Sequence, residues 1–334
     1  MKLRRVGNTD LTISEIGFGC GGNAGLMVRG TAAEQERAVG HALDCGMTYF
    51  DNAPDYGAGV AEENLGRALQ ALKARPTITT KVEIRAENLS DIANHMERSV
   101  EDSLRRLRVD VIDVLQIHNG PVAKNPNLEG KNYHTIWIED YLRPGGVIEG
   151  VHRLLKAGKI RFSGFVSRGH DAAETQTILE TGLFHILNLP YTLLNPTAGL
   201  TSVPYGLVTK DYGNILARAK AAGAGSAIIS PLAGGLLTDI LLSGQQTHPL
   251  ARPKDVDALA EQGKLDLARS FQTLAQRQGM SLVEMAYRFI LSNPDVTTIL
   301  GGFSALSQIY DAVGAALLGP LSNGILADIA ALWR

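Results

Sequence analysis

Cysteine is nearly missing from this 334-residue chain, where only Cys20 and Cys45 occur. Two thiols cannot build a disulfide framework, and their surroundings lack metal-ligand spacing, so the expected compartment is a reducing cytosol. No uninterrupted apolar run reaches the ~18 residues of a membrane span. The opening MKLRRVGNTDLTISEIGFG starts basic, but Asp10, Thr12, Ser14 and Glu15 break any signal-peptide core. Neither sign of charge dominates: 32 basic and 34 acidic residues leave a formal charge of -2, which gives no electrostatic reason to expect nucleic acid or an anionic membrane. Also lacking is a G-x-G-x-x-G between the first strand and first helix. Gly17, Gly19, Gly21 and Gly22 have the wrong spacing for it and read as a flexible first loop, which argues against a doubly wound dinucleotide fold.

What is present is a repeated alternation of short β-branched runs and helical patterns, as in a parallel sheet with crossover helices. Eight strands are expected: Ile13–Phe18, Met47–Asp51, Thr77–Val82, Val111–Ile117, Ile160–Ser167, Ile186–Tyr191, Ser226–Ser230 and Val296–Leu300. Eight such units predict an α/β fold of the (β/α)8 TIM-barrel kind, with residues 1–334 forming one domain. Leu65, Ala68, Leu69 and Leu72 make one helical stripe, and Ile92, Met96, Val100, Leu104 and Leu107 a second, both read as core. Thr31 with Glu34, and Ser281 with Glu284, have capping-box spacing. Three long stretches, Asn119–Gly146, Thr192–Asp211 and Leu232–Gly263, follow strands four, six and seven. All fall on the C-terminal side of the barrel, where βα loops build active sites.

Four polar groups stand at or just beyond the ends of strands two to four: Asp51 and Tyr56 in YFDNAPDYG, Lys81 in TITTKVE and His118 in VLQIHNG. Adjacent strand ends converge in a barrel, so these groups should meet and shift one another's pKa. Reducing a carbonyl needs a proton on oxygen as hydride reaches carbon. Tyrosine, with a pKa of ~10, is too weak an acid alone, and the Lys81 ammonium is expected to lower it. Asp51 would hold Lys81, while His118 would orient the substrate oxygen. A rival chemistry on the same residues is a Schiff-base aldolase using Lys81.

The segment TYFDNAPDYGAGVAEENLG resembles the D-T-A-x-x-Y-G-x-G-x-S-E-x-x-L-G signature of the aldo-keto reductase family, with Ala61 in place of the serine and Glu62 retained. The resemblance covers nearly the whole chain and is nearest to its sugar dehydrogenase branch. It implies an NAD(P)-dependent oxidoreductase acting on a small carbonyl, alcohol or sugar, with Asp51, Tyr56, Lys81 and His118 as its tetrad. It also places Ser167, Arg168 and Asn188 at the nicotinamide, Ser230, Leu232 and Gly234 at the pyrophosphate, and Gly302, Ser304, Gln308 and Asp311 at the adenosine. No metal is implied. Family members include potassium-channel β-subunits, so a non-catalytic, cofactor-binding regulatory subunit is a further alternative. Because neither lysine nor arginine occurs between Arg288 and Arg334, NAD is expected to be preferred with NADP also admissible, unless another loop supplies a cation such as Arg252. Tyr133 and Trp137 in the loop after strand four are expected either to wall a substrate pocket or to anchor that loop. Cys20 is expected to be a structural thiol, and the sequence leaves the oligomeric state open.

Overall fold

Runs such as Ile112–Ile117, buried at every position, fit only between a filled interior and an outer layer of helices. The computed structural model describes residues 1–126, 134–201, 208, 210–245 and 248–334. Its core is a closed barrel of eight parallel strands: β1 (Ile16–Gly19), β2 (Tyr49–Asp51), β3 (Thr77–Val82), β4 (Ile112–Ile117), β5 (Ile160–Val166), β6 (Ile186–Pro190), β7 (Gly225–Ile229) and β8 (Thr298–Gly302). Each strand lies beside its successor, and β8 closes the ring on β1 by pairing Ile299 with Ile16 and Gly302 with Gly19.

The first expected strand, Ile13–Phe18, is in fact two elements. Thr12–Ser14 pairs antiparallel with Leu3–Arg5, and β1 begins only at Ile16. The break is made by tertiary contacts: the Ser14 hydroxyl donates to the Ile16 carbonyl at 2.6 Å and accepts from the Thr48 N–H at 2.9 Å, while Arg4 pairs with Glu15 at 3.3 Å. The hairpin plugs the N-terminal end of the barrel. Val6, Leu11 and Ile13 pack there against Tyr49, Val114, Ile186, Ala227 and Leu300. Gly17 and Gly19 also belong to β1 and not to a flexible loop. A Cβ on Gly19 would lie 2.9 Å from the Gly301 carbonyl oxygen, so the closing strand pair approaches too tightly for a side chain.

Both helical stripes face inward. Leu65, Ala68 and Leu69 are buried on Val60–Leu72, with Leu72 half-buried, and Ile92, Met96, Val100, Leu104 and Leu107 are buried on Ile92–Leu107. Thr31 and Glu34 form the full reciprocal capping box. At Ser281 only half of one forms, because the Glu284 carboxylate pairs with Arg288 at 2.7 Å. The three long stretches leave the C-terminal ends of β4, β6 and β7. They carry structure of their own: Gly120–Val122 pairs with Thr135–Trp137 ahead of a helix at Ile138–Leu142, and the stretch after β7 contains helices Asp239–Leu242 and Val256–Glu261. Among the described residues no single helix is long and apolar enough to cross a membrane.

Candidate active site

Lys81 lies in β3 with its ammonium wholly inside the barrel, and each of its three N–H donors has a partner. Nζ donates to Asp51 Oδ1 at 2.5 Å, to the Asn52 carbonyl at 2.6 Å and to the Tyr56 hydroxyl oxygen at 3.2 Å. Asp51 ends β2, and the turn that follows brings Tyr56 back over the strand ends, with its ring centroid 4.8 Å from Nζ. Burial pulls the Lys81 ammonium toward its neutral form, but Asp51 and Tyr56 outweigh it and the lysine pKa rises.

The expected lowering of the Tyr56 pKa is not the net outcome. Lys81 does pull the phenol down, but burial is the larger effect and pushes it up to about 12. The phenol therefore holds its proton at neutral pH.

His118 follows β4 directly, and its ring meets that of Tyr56 edge-on, with centroids 6.3 Å apart. Its Nδ1 lies 3.4 Å from Glu83 Oε1 and 3.8 Å from Asp55 Oδ1. Burial, reinforced by the Lys81 charge, lowers the imidazole pKa to about 3, so it is neutral at ordinary pH. Burial also raises the Asp55 carboxyl pKa, with His118 opposing and Glu83 adding to the rise. Asp55, Glu83 and His118 hold their donor atoms within 4.8 Å of one another, the one grouping among the described residues within reach of a single cation.

A layer beneath the tetrad was not foreseen from sequence. Asn188 in β6 donates from Nδ2 to Asp51 Oδ2 at 2.9 Å, and its Oδ1 accepts from Gln116 Nε2 in β4 at 2.8 Å. One N–H of the amide remains over. Asn52, just past β2, keeps a buried Nδ2 without a hydrogen-bond partner among the described residues. Glu62 serves the scaffold: its carboxylate accepts from Thr80 of β3 and from Arg106 Nε at 2.6 Å.

The remaining expected residues are distributed around the same face. Ser167 is wholly buried just past β5, its hydroxyl 2.7 Å from His170 Nδ1, whereas Arg168 is exposed. Beyond β7, Ser230 and Gly234 are exposed and Leu232 is half-buried. Beyond β8, Gly302 and Asp311 are exposed, and Ser304 and Gln308 are tied together by the Ser304 N–H donating to Gln308 Oε1 at 2.7 Å. Trp137 donates its indole N–H to the Ala123 carbonyl at 3.2 Å, an anchor for its own loop. Tyr133 lies outside the described residues. Cys20 is buried and its thiol pKa is raised by desolvation, as a structural role requires.

The loop after β7 has the backbone for an anionic ligand. Ser230, Ala233, Gly234 and Gly235 adopt φ of 52°, 48°, 68° and 103°, and a Cβ on Gly235 would meet nothing within 4 Å. Left-handed turns of this kind can gather N–H groups into a concavity suited to phosphate, although the Ala233 and Gly235 N–H groups are engaged by the Ser230 and Leu232 carbonyls. Two non-glycine residues held there mark a site that is over-determined by its surroundings. A surface hollow of about 480 Å³, lined by Arg4, Arg5, Ser292, Pro294, Val296 and Thr297, lies at the hairpin end of the barrel, away from the tetrad.

A parallel eight-stranded barrel thus gathers a lysine, a carboxylate, a phenol and an imidazole at its C-terminal mouth, the end where such barrels carry their active sites. The chain belongs to the aldo/keto reductase family, whose profile matches residues 15–334. It is similar to L-galactose dehydrogenase of Arabidopsis thaliana, 27% identical over 320 residues that cover 94% of this chain and 88% of that protein. It is also similar to a putative voltage-gated potassium channel subunit beta of Schizosaccharomyces pombe, 25% identical with 94% and 87% covered. The solved holo form of an aldo-keto reductase from Bacillus halodurans shares the fold, with a TM-score of 0.74, 22% identity and coverage of 100% of this chain and 97% of that one.

Proposed function

We propose that this protein transfers hydride between a nicotinamide dinucleotide and a small aldehyde, ketone or sugar-like substrate, with Tyr56 as general acid and base. The observation that carries this reading is the Lys81 ammonium held between Asp51 and the Tyr56 oxygen. Because the phenol oxygen accepts from the lysine, its own proton is free to point outward. Lys81 stabilises the phenolate left after that proton departs, and Asp51 keeps the lysine charged. Neutral His118, beside Tyr56, positions the substrate oxygen. Asn188 and Gln116 fix Asp51 from below.

A bound nicotinamide would supply or take the hydride itself. The residues available to hold the dinucleotide are the left-handed run Ser230–Gly235 for its phosphates, and Ser167 with the spare N–H of Asn188 for its carboxamide. Gly302, Ser304, Gln308 and Asp311 border the adenosine end. The aldolase alternative requires a deprotonated Lys81, against which its three hydrogen bonds and raised pKa both act.

Tyr56→Phe removes the proton and little else. Turnover of aldehydes and free sugars, followed at the reduced-nicotinamide absorbance, should fall by roughly two to four orders of magnitude while cofactor binding stays nearly unchanged. Retention of turnover within about tenfold would remove Tyr56 from this role.

A further inference from the structure

The segment after β8 lacks a cation, and the two neutral polar residues placed at the adenosine, Ser304 and Gln308, are already engaged. Ser304 Oγ donates to the Ala24 carbonyl at 2.6 Å, and the Gln308 side-chain oxygen accepts from the Ser304 N–H. The fold brings a cation to the same edge from the stretch after β7. The Arg252 N–H donates to the Asn23 carbonyl at 2.9 Å, one residue along from the carbonyl that receives Ser304. Its guanidinium lies over Gly22, with Nη2 3.6 Å from where a Cβ on that glycine would be. Arg29 fastens this crossing from the other side by donating to the Gly22 carbonyl at 2.7 Å and the Leu250 carbonyl at 2.9 Å. Two residues on, Lys254 places its ammonium against Gly234, 2.2 Å from where a Cβ would stand. Among the described residues neither the Arg252 nor the Lys254 side chain has a hydrogen-bond or ion-pair partner within the protein.

We propose that Arg252 supplies the cation that the β8 segment lacks and receives the 2′-phosphate of NADP(H), so that cofactor choice is set by a loop remote in sequence from the adenosine segment. Lys254, over the β7 loop, contacts the pyrophosphate common to both cofactors. This inference rests on the nicotinamide-dependent reading above. It reverses the expected preference for NAD, because a 2′-phosphate at this edge meets a guanidinium that has no competing partner among the described residues.

The test titrates NADPH and NADH separately, by protein fluorescence or calorimetry, into the unaltered chain, Arg252→Ala, Arg252→Lys and Lys254→Ala, at low and high salt. Arg252→Ala should weaken NADPH by about tenfold, as loss of an exposed charge-assisted pair requires, and change NADH by less than about twofold. Arg252→Lys should keep part of the NADPH affinity. Lys254→Ala should weaken both nucleotides equally, and every effect should shrink at high salt. If NADPH and NADH both bind and Arg252→Ala leaves their ratio unchanged, the assignment of Arg252 is wrong while the cofactor reading stands. If neither nucleotide binds the unaltered chain, the cofactor reading fails, and this inference fails with it.

Discussion

Asn188 and Asp51, which end up on different sides of the barrel interior, are joined by a 2.9 Å hydrogen bond that secures the carboxylate oxygen facing away from Lys81. The bond completes a buried chain from Gln116 through Asn188, Asp51 and Lys81 to Tyr56.

Asn188→Ala should therefore act twice. It leaves Asp51 Oδ2 and the Gln116 amide buried without partners, so unfolding in urea should show a loss of about 1–3 kcal/mol. The freed carboxylate should also lower kcat more than it raises KM. Unaltered stability in this variant would show that the chain of bonds carries no weight.

Two histidines, His118 and His170, contribute to the response to acid. The pKa of His118 falls to about 3 and that of His170 to about 4, in both cases chiefly by burial. The unfolded chain takes up protons near the ordinary value of about 6.5, whereas the folded protein does not do so until much lower pH. Their contribution is thus fully present above pH ~6.5 and is lost as pH falls toward the folded values, at up to ~1.4 kcal/mol per pH unit for each histidine. Melting temperature measured from neutral pH down to about 4 should decline, and His170→Asn should flatten that decline. An unchanged profile in the variant would exclude His170 as a contributor.

Glu62, retained from the family signature, should affect folding and not chemistry. Its buried carboxylate joins Val60–Leu72 to Thr80 of β3 and to Arg106 of the next helix, whose side chain is 24% exposed. Glu62→Ala should cost about 3 kcal/mol, the lower end for breaking a buried pair, because Arg106 retains access to water. Glu62→Gln, which keeps the Thr80 bond, should cost less. Denaturation curves check both, and equal losses would mean that the Arg106 charge alone matters.

The barrel and the convergence of its mouth were legible because strand ends in a parallel barrel share one face, whatever the loops between them do. Asp51, Lys81 and His118 could be located by counting to the ends of apolar runs. The family resemblance pointed to Asn188, but not to its bonds with Asp51 and Gln116, since ILNLP is continuously buried and shows no alternation to betray which side chains face one another across the axis. The break at Ser14–Glu15 was hidden for a related reason: TISEIGFG reads as one strand until Thr48 and Arg4 are in place. Burial likewise decided the Tyr56 phenol. A neighbouring cation can be listed from sequence, but the desolvation that outweighs it depends on how much chain closes over the ring. Arg252 is brought to the β8 edge by the Asn23 and Leu250 contacts, which no local pattern encodes.

The N-terminal hairpin and the β8–β1 seam together impose an order on assembly. Leu3–Arg5 pairs locally with Thr12–Ser14 and β1 pairs with β2, but the other edge of β1 finds its partner only when β8, far along the sequence, is in place. Until then β1 offers an open edge to any neighbouring chain, and the plug residues Val6, Leu11 and Ile13 have no finished interior to enter. The barrel is therefore a structure of late closure, and the interval before its last strand arrives is when the nascent chain is most exposed to misassociation.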